Sequence, residues 1–102
     1  MGAETDSVEQ QGPLFFKLCS DHLSIEAIPR KTTKIDLRQL KDRVILGHEV
    51  MLWTPHFVVL RNEDGHEITL RQDGRMIIRK TGSEQVARRT ANQILGIVRE
   101  LS

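Results

Sequence analysis

A single cysteine, Cys19, excludes an intramolecular disulfide and suits a reducing compartment. Its place in the apolar run "LFFKLC" reads as that of a small buried hydrophobe. There is no tyrosine, and one tryptophan and three phenylalanines are all the aromatic residues present. Stacking platforms of the kind used by single-strand nucleic-acid binders are therefore poorly supplied. No apolar run approaches the roughly 20 residues that cross a bilayer. The first ten residues carry Glu4, Asp6 and Glu9 and no base, the opposite of a signal or transit peptide. Met1-Gly2 opens like a myristoylation signal, but Asp6 stands where Ser or Thr is needed. A glycine-rich phosphate loop, a nucleophile elbow and a Cys–His pairing are all missing. His22, His48, His56 and His66 are scattered, and neither His48-Glu49 nor His66-Glu67 continues into an H-E-x-x-H helix. These absences point to a cytoplasmic, non-enzymatic protein with no catalytic residues, cofactor, metal, membrane segment or small-molecule site.

What is present suffices for one domain. A chain of 102 residues with 38% hydrophobic and 28% charged residues builds one core with little to spare. Net charge is +1, so total charge does not call for a polyanionic partner. Its distribution is uneven, because Arg71, Arg75, Arg79, Lys80, Arg88 and Arg89 crowd one stretch against Asp73 and Glu84. Residues 1–13 have almost nothing to bury and read as a disordered tail ending at Gly12-Pro13, which leaves 14–102 as a single α+β domain. "LFFKL" is either an additional N-terminal strand or a segment lying against the core. "HLSIEAI" alternates as a half-buried strand does. Asp36 suits the N-cap of a helix through "LRQLKDRVI", with Leu37, Leu40, Val44 and Ile45 inward and Gly47 ending it. "EVMLW" and "HFVVLR" are strand material broken at Thr54-Pro55. "NEDG" and "DG" read as hairpin turns that join "HEITLRQ" and "RMIIRK". Ser83 caps a last helix whose Ala87, Ala91, Ile94, Leu95, Val98 and Leu101 recur at helical spacing. The order is β-α-β-β-β-α: an antiparallel sheet with two helices on one face.

Turn geometry assigns the faces. With Asn62 and Gly65 flanking the first turn, Phe57, Val59, Ile68 and Leu70 point inward. With Gly74 in the left-handed position of a three-residue bulged turn, Leu70 opposes Met76 and Ile68 opposes Ile78. The open face then holds Val58, Leu60, Thr69, Arg71, Arg75, Ile77 and Arg79, with Arg61 beside them. Arg88 and Arg89 fall on the exposed side of the last helix. Asp64 and Asp73 are turn residues, each preceding glycine. Trp53 is either core or an edge anchor.

"SIEAI", "KIDLRQL", "FVVLR" and "DGRMIIRKTGSEQVARRTANQIL", in that order, resemble one repeat of the TATA-box-binding protein family over roughly residues 23–98. The most specific part is Asp73-Gly74-Arg75-Met76 followed by Thr81-Gly82-Ser83-Glu84. The resemblance implies a curved antiparallel sheet with two helices on one side. That family carries two repeats in one chain, so this chain would have to dimerise to rebuild the saddle. The family also wedges paired phenylalanines between base steps, and one wedge position is filled here by Arg71. "RMIIRKTG" is two residues longer than the family's equivalent, and the same half-fold serves as an accessory domain in DNA-repair glycosylases.

Two functions follow from the open face. The favoured one is an interaction module that self-associates, as a homodimer, or binds a protein partner. A monomer has little reason to leave aliphatic residues together in solvent. The alternative is a nucleic-acid-binding module in which Arg61, Arg71, Arg75 and Arg79 pair with phosphates.

Overall fold

The computed structural model describes residues 12–18, 23–79 and 83–101. The expectations for the tail before Gly12, for Cys19 and His22, and for Lys80 to Gly82 lie outside these residues. Gly12 and Pro13 belong to the folded part, because Arg30 donates from Nε to the Gly12 carbonyl (2.8 Å) and from its backbone N–H to that of Pro13 (3.1 Å).

The architecture is α+β. Among the described residues, seven antiparallel strands form one open sheet: β1 Leu14–Leu18, β2 Ser24–Pro29, β3 Val44–Ile45, β4 His48–Trp53, β5 Phe57–Arg61, β6 Glu67–Arg71 and β7 Met76–Arg79. Their spatial order is β1-β2-β7-β6-β5-β4-β3. After β2 the chain crosses to the far edge and returns strand by strand until β7 pairs with β2. "LFFKL" is thus a sheet strand, paired with β2 through Phe16↔Ala27.

One helix, α1 Glu84–Leu101, lies over β2 and β7. Ala87, Ala91, Ile94, Leu95 and Val98 are buried beneath it, as the spacing indicated. Ser83 Oγ accepts from the Val86 N–H (3.4 Å) and Glu84 occupies the first turn, which suits the positive end of the helix. Arg88 is not simply solvated. Its guanidinium lies 5.4 Å from the Phe16 ring centroid and its side chain is only 18% exposed.

The expected first helix does not form. Asp36 does act as an N-cap, accepting from the Arg38 N–H, but it starts only a 3-10 turn over Leu37–Leu40. The next residues, Val44 and Ile45, pair instead with Glu49 and His48 across a two-residue Leu46-Gly47 turn. Both turn residues have positive φ (51° and 75°), the combination that a tight primed hairpin requires. Two β-branched residues beside a ready-made hairpin partner outweigh a local helical period. Val44 therefore faces solvent, while Leu37, Leu40 and Ile45 remain in the core. Among the described residues, the two-helix arrangement is replaced by one helix plus this irregular connection. The connection is tied down by Ile35 N–H to Gln72 O (2.8 Å) and by Trp53 Nε1–H to Leu37 O (2.9 Å). Trp53, half-buried, packs on the core. The Thr54-Pro55 break is a turn in which Thr54 Oγ1 accepts from the Phe57 N–H (2.9 Å).

Two turns set the sheet faces. In "RQDGR", Gly74 takes φ +85° and Leu70 opposes Met76, the bulged register expected. In "NEDGH", Gly65 takes φ +83°, Asn62 N–H donates to His66 O (3.1 Å), and Arg61 opposes Glu67. The residues flanking that turn are Asn62 and His66, not Asn62 and Gly65. A shift of one residue flips every side chain on β5. Val58 and Leu60, expected on the open face, are fully buried against Leu70 and Ile68, and Phe57 and Val59 are the residues that face outward.

Candidate functional site

The core side of the sheet is covered by α1 and by the connection that follows β2. Among the described residues nothing covers the other side. Its side chains fall into cross-strand rows that follow from the registers. The first row runs Ser24, Arg79, Glu67, Arg61, Glu49, Val44 from β2 to β3. The second runs Lys17, Glu26, Ile77, Thr69, Val59, Leu52 from β1 to β4. The third places Arg71 on β6 opposite Phe57 on β5. A bulge between Val50 and Leu52 keeps Leu52 outward while Val50 and Trp53 turn toward the core.

The sequence-derived site is thereby split. Thr69, Arg71, Arg75, Ile77, Arg79 and Arg61 belong to the open face. Val58 and Leu60 do not, and Phe57, Val59, Leu52 and Glu49 take their place. No signal within "FVVLR" could have separated these sets, because four successive apolar residues fit either parity. The missed clue was the shared spacing of "NEDGH" and "RQDGR". Both place Asp-Gly so that a three-residue turn closes with glycine in the left-handed position.

The face is not a field of one sign. Lys17, Arg61, Arg71, Arg75 and Arg79 are interleaved with Glu26, Glu49, Glu67 and Asp73. Arg61 Nη2 meets Glu67 Oε1 at 3.1 Å, Arg71 Nη2 meets Asp73 Oδ2 at 2.8 Å, and Arg75 Nη1 lies 3.7 Å from Glu26 Oε1. These half-exposed pairs add little to stability. Their consequence is chemical: most arginines here already have a carboxylate.

No family model, curated protein or solved structure matches this chain. Elsewhere on the surface, a hollow of about 560 Å³ is lined by Ile35, Leu37, Trp53 and Pro55, with Asp36 and Arg38 at its rim. Its carboxylate is already engaged. Arg38 donates from its backbone N–H (3.1 Å) and from Nε (3.0 Å), and the side-chain bond chiefly holds the Asp36 pKa below its ordinary value. On the helix side, a cleft of about 300 Å³ is lined by His48, Asn62, Asp64, His66, Thr90 and Gln93. His48 is buried and its Nδ1 faces two carbonyls, Ile45 O (3.0 Å) and Leu46 O (2.9 Å), so Nδ1 carries the proton. The ring thereby holds the β3–β4 turn. Among the described residues, no group of three or more His, Cys, Asp or Glu side chains is arranged to hold a metal ion. No described helix is long and apolar enough to cross a membrane.

Proposed function

We propose that this protein is a non-enzymatic interaction module that binds protein through the open face of its sheet. The observation that carries this reading is the row structure. A stripe of Ile77, Thr69, Val59 and Leu52 is bordered by a row of alternating charge. Apolar side chains flanked by paired opposite charges match the centre and rim of a protein interface. A polyanion site needs unopposed cations, and here Glu67, Asp73 and Glu26 sit among the arginines. The low aromatic content argues against base stacking as well.

The test compares three forms of the chain as bait: wild type, Val59→Glu/Ile77→Glu, and Arg89→Glu on the far side. The reading expects a protein, another copy included, that is held by the first and third and not by the second. A set of bound proteins indifferent to the face substitutions overturns it. Duplex DNA supplies the second arm. There the slope of log K against log salt is compared between wild type and Arg71→Gln/Arg75→Gln/Arg79→Gln. A slope shallower in the variant by roughly 0.9 for each phosphate no longer neutralised would replace this reading with nucleic-acid recognition.

A further inference from the structure

Apart from Lys17 at the β1 edge, two charged side chains on the open face, Arg79 on β7 and Glu49 on β4, have no ion-pair or hydrogen-bond partner among the described residues. They are the two ends of the charged row Arg79, Glu67, Arg61, Glu49, whose central pair is joined at 3.1 Å. The row reads plus, minus, plus, minus. A two-fold axis parallel to the strands, passing between β5 and β6, reverses this order in the facing molecule. Every charge then meets its opposite, and the two unpaired ends meet each other: Arg79 of one copy faces Glu49 of the other, twice.

Resting on the proposed use of the face for protein binding, we infer that its partner is a second copy of this chain, stacked face to face about that axis. The neighbouring rows obey the same operation. Ile77 meets Leu52 of the second copy and Thr69 meets Val59, so the apolar stripe lies on itself. One row on, Arg71 meets Phe57, a cation over an aromatic ring. An isologous contact requires a surface complementary to itself, and this one is. Sheets packed this way lie about 10 Å apart with strands within about 30° of alignment, a gap that arginine and glutamate side chains from both sides span. A two-fold running along the charged row itself would set Arg79 on Arg79 and Glu49 on Glu49, and repulsion disfavours it.

Sedimentation velocity on the full chain over a concentration series tests the inference, with circular dichroism confirming that each variant is folded. Wild type is expected to dimerise. Arg79→Glu and Glu49→Arg should each weaken the dimer by more than about tenfold, since each sets like charges together at two symmetry-related places. The double variant Arg79→Glu/Glu49→Arg should regain it, and an equimolar mixture of the two single variants should form a heterodimer. A wild type that stays monomeric into the millimolar range overturns the second copy as partner, while the bait comparison still decides whether the face binds protein. A dimer that ignores both single reversals, or that the double reversal fails to restore, overturns the axis. Dimerisation seen only after removal of residues 1–11 would make the acidic N-terminal segment the occupant, and would overturn the inference too.

Discussion

Gly65 and Gly74 occupy equivalent places in two three-residue turns, at φ +83° and +85°, yet their surroundings differ. A Cβ at Gly65 meets nothing within 4 Å, so Gly65→Ala should cost only the left-handed backbone penalty, about 1–2 kcal/mol. A Cβ at Gly74 would lie 2.8 Å from Pro29 Cγ and 3.0 Å from Thr33 Cγ2. Gly74→Ala should therefore lower the melting temperature clearly more, and equal losses would show that the turn does not pack on the β2 exit. Leu60→Ala should cost on the order of 2–5 kcal/mol as a cavity in the core, and Val59→Ala much less. Denaturant melts giving the reverse order would put β5 back in the other register. At Asp36 the hydrogen bonds from Arg38 favour the carboxylate, so its folded pKa lies below the usual 3.8. As pH falls the unfolded chain takes up this proton first. The contribution is thus complete above the ordinary carboxylate range and disappears through the depressed folded value. Asp36→Asn, which keeps an acceptor for the cap, should flatten the loss of stability below about pH 4. An NMR titration showing no depression at Asp36 would contradict this.

Among the elements, α1 approaches the sheet on a stripe that begins with two alanines, Ala87 and Ala91, both fully buried. Small side chains there let the helix backbone come close to β2 and β7, while Ile94, Leu95 and Val98 fill the wider space beyond. Ala91→Leu should therefore destabilise by about 1–3 kcal/mol through overpacking, although leucine is an excellent helix former. A neutral or stabilising result in a thermal melt would mean that the helix stands off the sheet. The segment after Asp36 shows the opposite balance, since a helical pattern there yields to a strand of two residues. Its hairpin is closed by Leu46 at positive φ and by the His48 ring, which ties down the carbonyls of the turn.

At the scale of the whole molecule, the pairing that closes the sheet is the most distant in sequence: β2 pairs with β7 through Ile25↔Ile78 and Ala27↔Met76. Everything between them is a meander returning from the far edge. Such non-local pairing is central to the core, whereas β3 is two residues long, at an edge, and carries the exposed Val44. Native-state hydrogen exchange should divide accordingly. Amides bonded between β2 and β7 should exchange only through global unfolding, and those between β3 and β4 through local opening at far lower free energy. Equal protection in both places would mean that the molecule opens as one unit. Among the described residues, the same topology leaves one broad sheet face without a helix.

The amino-acid pattern alone establishes the α+β class, most of the strands, the amphipathic C-terminal helix with its Ser83 cap, and the bulged turn at Gly74. Each rests on a local period or on turn chemistry, which neighbouring residues specify without help from the rest of the chain. It also identified Thr69, Arg71, Ile77 and Arg79 as outward, because alternation in "EITLR" and "MIIR" leaves only one parity with an apolar inner face. The rest follows from contacts between strands that are distant along the chain. The run of four apolar residues in "FVVLR" satisfies both parities, so only the hydrogen-bonded register across Asn62 and His66 could bury Val58 and Leu60. The period in "LRQLKDRVI" is helical, but Val44 and Ile45 pair with Glu49 and His48 across the Leu46-Gly47 turn, a contact with β4 that the local period does not reveal. The alternating row of Arg79, Glu67, Arg61 and Glu49 is invisible along the chain, since its members come from four different strands. A row of that kind exists only once hydrogen bonds have set those strands side by side.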